Sequence, residues 1–310
     1  MNINEIYSAF KNAILNAGSY PPEHFIADGK LHRFHIQGHK QGKQNGAYFL
    51  HVDGKPNGFF EDFANNIKFK WKADGPVKPP SLGEREQFKA KKTQAEKVQI
   101  QKYEQAAITA QRYVDNSKLL KAPDHPYLIK KQVKAFGVYR FKTWHKRIKN
   151  EAGQWISLDL HNVLLIPLID LYGKVWNVQA IFSEPHPALG RDKDFLPGGR
   201  LGGLFHAIGQ ATNDGVLICE GYSTGASLHD ATGFQVLCAM SAGNLLPVAQ
   251  VIRAIDARKK IIIVADNDEL KPNNPGLTAA KKAALAVGGF LVVPPASGDF
   301  NDYAIQGARL

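Results

Sequence analysis

The chain has 310 residues, of which 44% are hydrophobic, and this is enough to bury a sizeable core in two or three domains. Its 39 lysines and arginines exceed its 28 carboxylates, so the net charge of +11 favours a polyanionic partner. Two cysteines are too few for a four-cysteine zinc ribbon, and no apolar run is long enough for a membrane span or a secretion signal. We therefore expect a cytoplasmic protein that contains no zinc and has no membrane partner.

Residues 1–75 are predicted to form a small β-rich domain that begins with a helix. Apolar residues recur at intervals of three and four between Ile3 and Leu15, a spacing that is typical of an amphipathic helix. Short alternating runs separated by Gly and Asn turns then indicate an antiparallel sheet. These runs are Leu31–Ile36, Ala47–Val52, Phe59–Phe63 and Ile67–Trp71.

Aromatic residues of this predicted sheet stand among lysines and arginines, and two interpretations stay open. Rings among cations suit single-stranded nucleic acid, because each stacked base contributes about 1 to 3 kcal/mol. Most rings in a small sheet are, however, needed for its core. The four histidines of this segment lack cysteine neighbours, so we expect them to be structural rather than metal ligands. The aromatic residues are Phe34, Tyr48, Phe49, Phe59, Phe60, Phe63, Phe69 and Trp71.

Residues 76–117 are predicted to contain a proline-rich break and one long charged helix. The break, at residues 75–80, marks a domain boundary, and residues 82–116 lack proline and are dense in Lys, Glu, Gln and Ala. Apolar residues become frequent only after Val98. The second half of the helix is therefore expected to pack on a domain and the first half to act as a spacer, with a coiled coil as the alternative.

Residues 118–210 are predicted to form a basic α+β subdomain. Between Lys118 and Lys149, ten lysines and arginines accompany a single carboxylate, Asp124, and Trp144 is one of several rings among them. An ordinary solvated surface is one interpretation, and contact with nucleic acid, with Trp144 stacked on a base, is the other. The candidate template or nucleotide ligands in this run are Lys130, Lys131, Lys134 and Arg140.

Two apolar runs after this segment, residues 163–169 and 175–182, predict a β-hairpin about a turn at residues 170–173. The hairpin leads into Lys193, a Gly-Gly turn and Arg200. Because cations beside glycine-exposed backbone can hold a phosphate, Lys193 and Arg200 are further candidate nucleotide ligands.

Residues 211–310 alternate between apolar β-branched runs and helical patterns, which predicts a parallel α/β domain. Asn244 is expected to cap one of its helices, with Pro247 in the first turn. Glu220, Asp266 and Asp268 follow predicted strands, and the carboxyl ends of parallel strands meet at one edge of the sheet. Clustered carboxylates suit Mg²⁺ or Mn²⁺, whereas on its own the Asp-Asn-Asp segment would be an ordinary turn and helix cap.

These acidic segments resemble those of the Toprim domain, which bacterial-type primases, topoisomerases and some nucleases share. Further segments are similar to primases of conjugative plasmids and phages and cover most of residues 118–310. The last acidic motif departs from the usual Asp-x-Asp, so Asp299 is carried over while Asn301 and Asp302 receive no role. The segments that carry the resemblance are Glu220-Gly-Tyr-Ser-Thr-Gly225, Asp266-Asn-Asp268, Ala242-Gly-Asn-Leu-Leu-Pro247, His125-Pro-Tyr-Leu128, Leu164-Leu-Ile-Pro-Leu168, Phe195-Leu-Pro-Gly-Gly-Arg200 and Asp299-Phe-Asn-Asp302.

The resemblance implies a DNA primase, a nucleotidyltransferase that joins ribonucleotides on single-stranded DNA during plasmid or phage replication. It implies catalysis by Glu220, Asp266 and Asp268, which with Asp299 would hold two Mg²⁺ ions; Glu220 acting as a general base is the alternative. The implied partners are a single-stranded DNA template, ribonucleoside triphosphates and a replicative helicase. Two other functions remain open, namely a Toprim nuclease and a non-catalytic nucleic-acid-binding accessory protein.

Overall fold

The structure is a computed structural model that describes residues 1–39, 44–52, 54–65, 67–73, 82–118, 122–149, 153–212 and 214–307. The chain forms two compact units, Met1–Gln94 and Ala95–Leu310. The predicted proline-rich break lies outside the described residues. Within them, no helix is both long and apolar enough to cross a membrane.

The first unit is a four-stranded antiparallel sheet with a helix on one face. Its strands pair in chain order, and the predicted runs overlap them. The helix packs Ile6, Phe10 and Ile14 against Tyr48 and Phe60 of the sheet, and together they form the core of this unit. The elements are α1 (Ile3–Asn16), β1 (His32–Phe34), β2 (Gly46–His51), β3 (Asn57–Asp62) and β4 (Ile67–Lys72).

A single long helix, α2 (Leu82–Ser117), begins in the first unit and continues into the second. Near its middle, Val98 and Ile100 are exposed. In its second half, Ala110 and Val114 are buried in a cluster with Trp144 and other residues of the second unit. Packing of the second half is therefore confirmed, but it begins later along the helix than the increase in apolar residues does.

The second unit contains an antiparallel sheet of four strands that pair in chain order. The predicted hairpin is present, and its turn is fixed by Asp170, whose Oδ1 accepts hydrogen bonds from the backbone N–H groups of Tyr172 and Lys174 at 2.9 and 3.1 Å. The elements are α3 (Pro126–Lys131), β5 (Tyr139–Lys149), β6 (Trp155–Ile169), β7 (Val175–His186) and β8 (Arg191–Phe195).

The remaining strands of this unit form a five-stranded sheet in the order β13-β12-β10-β11-β9. Strands β10 to β13 are parallel, as their alternation with helices predicts, and the edge strand β9 runs antiparallel to β11. The strands are β9 (His206–Ile208), β10 (Val216–Cys219), β11 (Val236–Cys238), β12 (Ile261–Val264) and β13 (Phe290–Val292). The helices are α4 (Tyr222–Thr232), α5 (Ala242–Ile255), α6 (Pro275–Val287) and α7 (Phe300–Ile305).

The prediction that Asn244 caps a helix is wrong, because α5 begins earlier and Ser241 is its N-terminal cap residue. Pro247 accordingly lies inside the helix rather than in its first turn. The Asn244 side chain is buried and makes hydrogen bonds to other segments. Its Oδ1 accepts from the Gly203 N–H, and its Nδ2 donates to the carbonyls of Leu204 and Ala239, each at 2.8 Å. It thus ties the loop before β9 to the end of β11.

Candidate active site

The four predicted carboxylates lie at one edge of the parallel sheet. Three of them follow the carboxyl ends of strands, and the fourth lies in a neighbouring loop. Glu220 directly follows β10, while Asp266 and Asp268 follow β12. The loop that carries Asp299 is held against them by a two-residue bridge, in which Asn267 and Gly298 exchange backbone hydrogen bonds of 2.8 and 3.0 Å. The sheet and this bridge therefore gather residues from three separate parts of the sequence.

Asp266 is the most perturbed carboxylate of the group. Burial, followed by the negative charges of Glu220, Asp299 and Asp268, raises its pKa to about 7. Its Oδ1 is buried and has no hydrogen-bond partner among the described residues. An oxygen without a partner in such a position costs free energy unless a proton or a cation occupies it.

Glu220 is perturbed in the same direction. Burial raises its pKa, the charge of Asp268 adds to the rise, and the Ala242 backbone N–H at the start of α5 opposes it. The positive charges of Lys193 and Lys271 also oppose the rise. Glu220 therefore shares one electrostatic environment with the carboxylates after β12 and with a cation from the antiparallel sheet.

Asp268 already has a counter-ion. Lys271 Nζ lies 2.7 Å from Asp268 Oδ1, and this hydrogen bond is the main cause of a raised Lys271 pKa. The first turn of α6 packs close to the same residues. A Cβ atom at Gly276 would lie only 2.7 Å from the Asp266 carbonyl oxygen and 3.2 Å from Asp268 Oδ2. Glycine is thus required where α6 approaches the carboxylates.

The Asp299 side chain also has a structural role in the fold. It is the N-terminal cap of α7, where its Oδ1 accepts the Asp302 N–H at 2.9 Å, and the Asp302 side chain in turn receives the Asp299 N–H. Asp302 pairs with Lys131 at 2.9 Å, and the buried Asn301 donates to the Lys131 carbonyl and to Ser227. In this structure Asn301 and Asp302 therefore anchor α7 to α3.

The donor set fits a hard divalent cation. In the part of the chain that the structure describes, no group of three His, Cys, Asp or Glu side chains is already arranged to hold a metal. Mg²⁺ does not require such a cage, since it commonly uses one or two carboxylates and completes its octahedron with water and substrate phosphate. The unpartnered oxygen of Asp266 and the mutual repulsion of the carboxylates are the features that such an ion would relieve.

The two predicted cations of residues 193–200 lie in different surroundings. Lys193 is exposed, its Nζ lies 5.8 Å from the centre of the Tyr127 ring, and its charge acts on Glu220. The Arg200 guanidinium lies 5.1 Å from the ring centre of Trp176, and its Nε donates to the Gly202 carbonyl at 3.2 Å. Lys193 is thus the cation of the pair that the structure links to the carboxylates.

Several cations of the basic run, residues 118–149, are paired with carboxylates that lie outside this run in the sequence. Lys131 pairs with Asp302, Lys134 with Asp230 at 2.5 Å, and Arg140 with Asp124 at 3.3 Å. Two of these carboxylates are distant in the sequence and were not counted with the run. Lys130 is exposed, and among the described residues it has no ion pair.

The expectation that Trp144 stacks on a base is wrong. Its side chain is only 1% exposed, and it packs with Val163 and Phe182 in the core of the antiparallel sheet. Its Nε1 donates to Asp194 at 3.4 Å. The alternation of β5 directs this ring inward while its neighbours face solvent.

Sequence reasoning missed two residues that shape the site. Lys271 was not singled out, although a lysine three residues after Asp268 is within reach of its carboxylate. Tyr222 is buried, its hydroxyl donates to the Lys134 carbonyl at 2.8 Å, and it accepts the Phe136 N–H at 2.7 Å. The sequence signal for Tyr222 was its position directly after the Glu-Gly pair, but nothing there indicated its distant partners.

Comparison with known proteins agrees with this architecture. The family model described as a Toprim domain matches residues 215–309. The chain contains a Toprim domain. Two proteins of Escherichia coli, both named DNA primase TraC, are homologous to most of the chain, with 32% identity over 284 residues and 31% over 304. These alignments cover 88% and 94% of this chain but only 24% and 19% of the relatives, so the chain spans a quarter or less of their length.

Two solved structures are also similar. A primase from Aquifex aeolicus that includes zinc-binding and RNA polymerase domains aligns with 99% of this Toprim-containing chain and 83% of its own, at 14% identity and a TM-score of 0.48. A DNA primase domain from Pseudomonas aeruginosa aligns with 66% of this chain and 74% of its own, at 12% identity and a TM-score of 0.46. Similarity of this degree carries no conclusion about activity.

Proposed function

We propose that this chain is a DNA primase that joins ribonucleotides on a single-stranded DNA template. The observation that carries the proposal is the buried, unpartnered oxygen of Asp266 beside Glu220, Asp268 and Asp299. A carboxylate site of this kind, within a Toprim domain and in a homologue of TraC, is suited to metal-dependent nucleotidyl transfer. The predicted division into residues 1–75, 76–117, 118–210 and 211–310, with a primase-like subdomain at 118–210, belongs to the same proposal.

In the proposed site, Glu220, Asp266 and Asp268 hold Mg²⁺ or Mn²⁺, with Asp299 as a further ligand and two ions as the full complement. When bound, such ions lower the pKa of the primer 3′-hydroxyl and neutralise charge on the departing pyrophosphate. In the reaction, the 3′-oxygen forms a bond to the α-phosphorus, the bond to the pyrophosphate oxygen breaks, and the hydroxyl proton is lost. The raised pKa of Glu220 suits it to accept that proton if it acts as a base.

The cations of the chain would bind the anionic substrates. Lys193 is proposed to contact the triphosphate, because its charge already acts on Glu220. Arg200 and Lys130 are proposed to contact phosphates of the template or nucleotide. Lys131, Lys134 and Arg140 would do so only by exchanging a carboxylate partner for a phosphate, so we assign them smaller contributions to affinity.

The proposed partners are single-stranded DNA, ribonucleoside triphosphates and a replicative helicase. The test is to incubate the chain with single-stranded DNA, labelled ribonucleotides and Mg²⁺, and to resolve the products by size. We expect short oligoribonucleotides whose formation needs both template and divalent cation. Cleavage of end-labelled DNA without synthesis would instead establish the nuclease, and binding with neither reaction would establish an accessory protein.

A further inference from the structure

The exposed surface of strand β4 carries a row of cations. Lys68, Lys70 and Lys72 alternate with inward residues, and all three are exposed. The intervening Phe69 and Trp71 pack against the core that lies under helix α1. Because side chains of a strand alternate between its two faces, the three lysines share the face opposite to the helix. We call this surface the outer face.

Two aromatic rings lie beside these lysines on the outer face. Phe49 of β2 is directly opposite Phe59 of β3, and their rings are nearly parallel, with centroids 5.8 Å apart and planes inclined by 14°. Phe59 is in turn paired with Lys70, so ring, ring and cation form one row across three strands. Neither ring belongs to the buried core of the unit, to which the sheet contributes Tyr48 and Phe60 from its opposite face.

A second ring and cation pair lies next to this row. The Arg33 guanidinium is 4.2 Å from the ring centre of Phe63, and the Phe63 side chain is 46% exposed. Strand pairing places Arg33 opposite Ala47, on the same side as Phe49. Among the described strand residues, Glu61 is the one carboxylate that pairing places on this face, and it is engaged by Lys68 at 3.1 Å.

We propose that the outer face of the first unit binds single-stranded nucleic acid. Bases stack on Phe49, Phe59 and Phe63, while Arg33, Lys70 and Lys72 contact phosphates; Lys68 contributes less because Glu61 neutralises it. The rings and the cations suit the two parts of an unpaired strand. Exposed bases can stack on the rings, and the negatively charged phosphates can contact the cations. This site is additional to the primase proposal, because it lies in the unit that does not contain the carboxylates.

A purely structural explanation accounts for only part of this surface. Strand β4 is at the edge of its sheet, and lysines on an edge strand prevent association with the edges of other sheets. That role explains Lys68, Lys70 and Lys72. It does not explain why two central strands place Phe49 and Phe59 on the solvent side.

The test measures binding of the full-length chain to a labelled oligothymidylate over a salt series, in buffer without divalent cations. Binding measured in this way does not depend on nucleotidyl transfer, so failure of the primase proposal leaves the result interpretable. The variants are Lys70→Ala, Lys72→Ala and Phe59→Leu. The matched control is Lys11→Ala, which removes an exposed lysine from helix α1 on the other side of the same unit.

We expect each lysine variant to reduce the slope of log affinity against log salt by about 0.7, and the Lys11 control to leave the slope unchanged. Phe59→Leu should weaken binding by about 5- to 150-fold, the loss of one stacked base, with the slope unaltered. The same variant should bind an abasic oligonucleotide as tightly as the wild type. Slopes of Lys70→Ala and Lys72→Ala equal to that of the control would overturn the proposal, as would an equal loss by Phe59→Leu on the abasic strand.

Discussion

Asp266 connects the chemistry of the site to the stability of the fold. Its pKa of about 7 in the folded protein is well above the ordinary 3.8, and burial is the main cause. The folded protein therefore disfavours the charged form of this carboxyl, which deprotonation near neutral pH produces. The cation of the proposed site would compensate this charge, so the same carboxylate would lower the stability of the metal-free protein and favour metal binding.

This feature predicts that Asp266→Asn stabilises the chain in the absence of divalent cations. Because the folded pKa is raised, the favourable contribution of the protonated carboxyl is complete below pH 3.8 and is lost as the pH rises through about 7. Asparagine has no such loss, so above pH 7 the free energy of unfolding of the variant should exceed that of the wild type, by an amount on the order of a few kcal/mol. Urea unfolding at pH 5 and pH 8 in a chelator measures the difference, and a variant less stable than the wild type at pH 8 would refute it.

The same pKa predicts how cation binding responds to pH. A cation must displace the proton of Asp266, so the Mg²⁺ affinity of the wild type should rise with pH up to about 7 and level off above it. Titration calorimetry with Mg²⁺ at several pH values provides the measurement. In Asp266→Asn this dependence should be weaker, because Glu220 is then the remaining proposed ligand with a raised pKa, and an identical profile in wild type and variant would show that Asp266 is not involved.

At the scale of elements, the position of Glu220 depends on how closely helix α4 approaches the strands. A Cβ atom at Gly225 would lie 2.3 Å from Cys238 Sγ and 3.2 Å from Cys219 Sγ, and both thiols are buried. Glycine at this position therefore lets α4 pack directly on β10 and β11. Helix α4 begins two residues after Glu220, so a displaced helix would displace the carboxylate.

Gly225→Ala is accordingly predicted to destabilise the chain by about 1 to 3 kcal/mol, the usual cost of overpacking a core. The matched control is Gly243→Ala in helix α5, where an added Cβ meets nothing within 4 Å. That substitution should be neutral or stabilising by up to about 1 kcal/mol, because alanine favours a helix more than glycine does. Urea denaturation of both variants decides, and equal stabilities of the two would contradict the packing explanation.

The parallel sheet and the proximity of its carboxylates could be predicted from the sequence, whereas the ion pairs could not. The alternation of apolar strands and helices between residues 216 and 293 predicted the parallel sheet, because that periodicity is local. The proximity of Glu220, Asp266 and Asp268 followed from the topology of parallel strands. The partners of Lys131 and Lys134 could not be predicted, since Asp302 and Asp230 lie 171 and 96 residues away in the sequence. Trp144 was misassigned because its alternating strand left both faces possible.

At the scale of the whole molecule, the charge surplus is distributed over surfaces with different degrees of neutralisation. The run that begins at Lys118 has the densest surplus in the sequence, yet among the described residues five of its cations engage carboxylates. The sheet of the first unit has fewer cations, but the exposed Lys70 and Lys72 lie beside the half-buried rings of Phe49 and Phe59. Net charge therefore indicates a polyanionic partner, but it does not indicate which surface would bind that partner.

The scarcity of cysteine predicts that activity does not depend on zinc. Both cysteines are buried within the parallel sheet, with Sγ atoms 3.9 Å apart, so neither is available to a surface zinc site. Primer synthesis should therefore survive a zinc-selective chelator when Mg²⁺ is in excess. Loss of synthesis that zinc alone restores would show that the histidines of the first unit bind metal.

Primer synthesis by purified wild type, Asp266→Asn and the matched control Asp256→Asn tests directly whether the carboxylate cluster catalyses nucleotidyl transfer. Asp256 follows α5 and is exposed, and the residues that surround Asp266 do not include it. We expect oligoribonucleotides from the wild type and from Asp256→Asn, and none from Asp266→Asn, although that variant should remain folded and bind single-stranded DNA as the wild type does. Undiminished synthesis by Asp266→Asn would contradict the assignment of this carboxylate cluster as the site of nucleotidyl transfer.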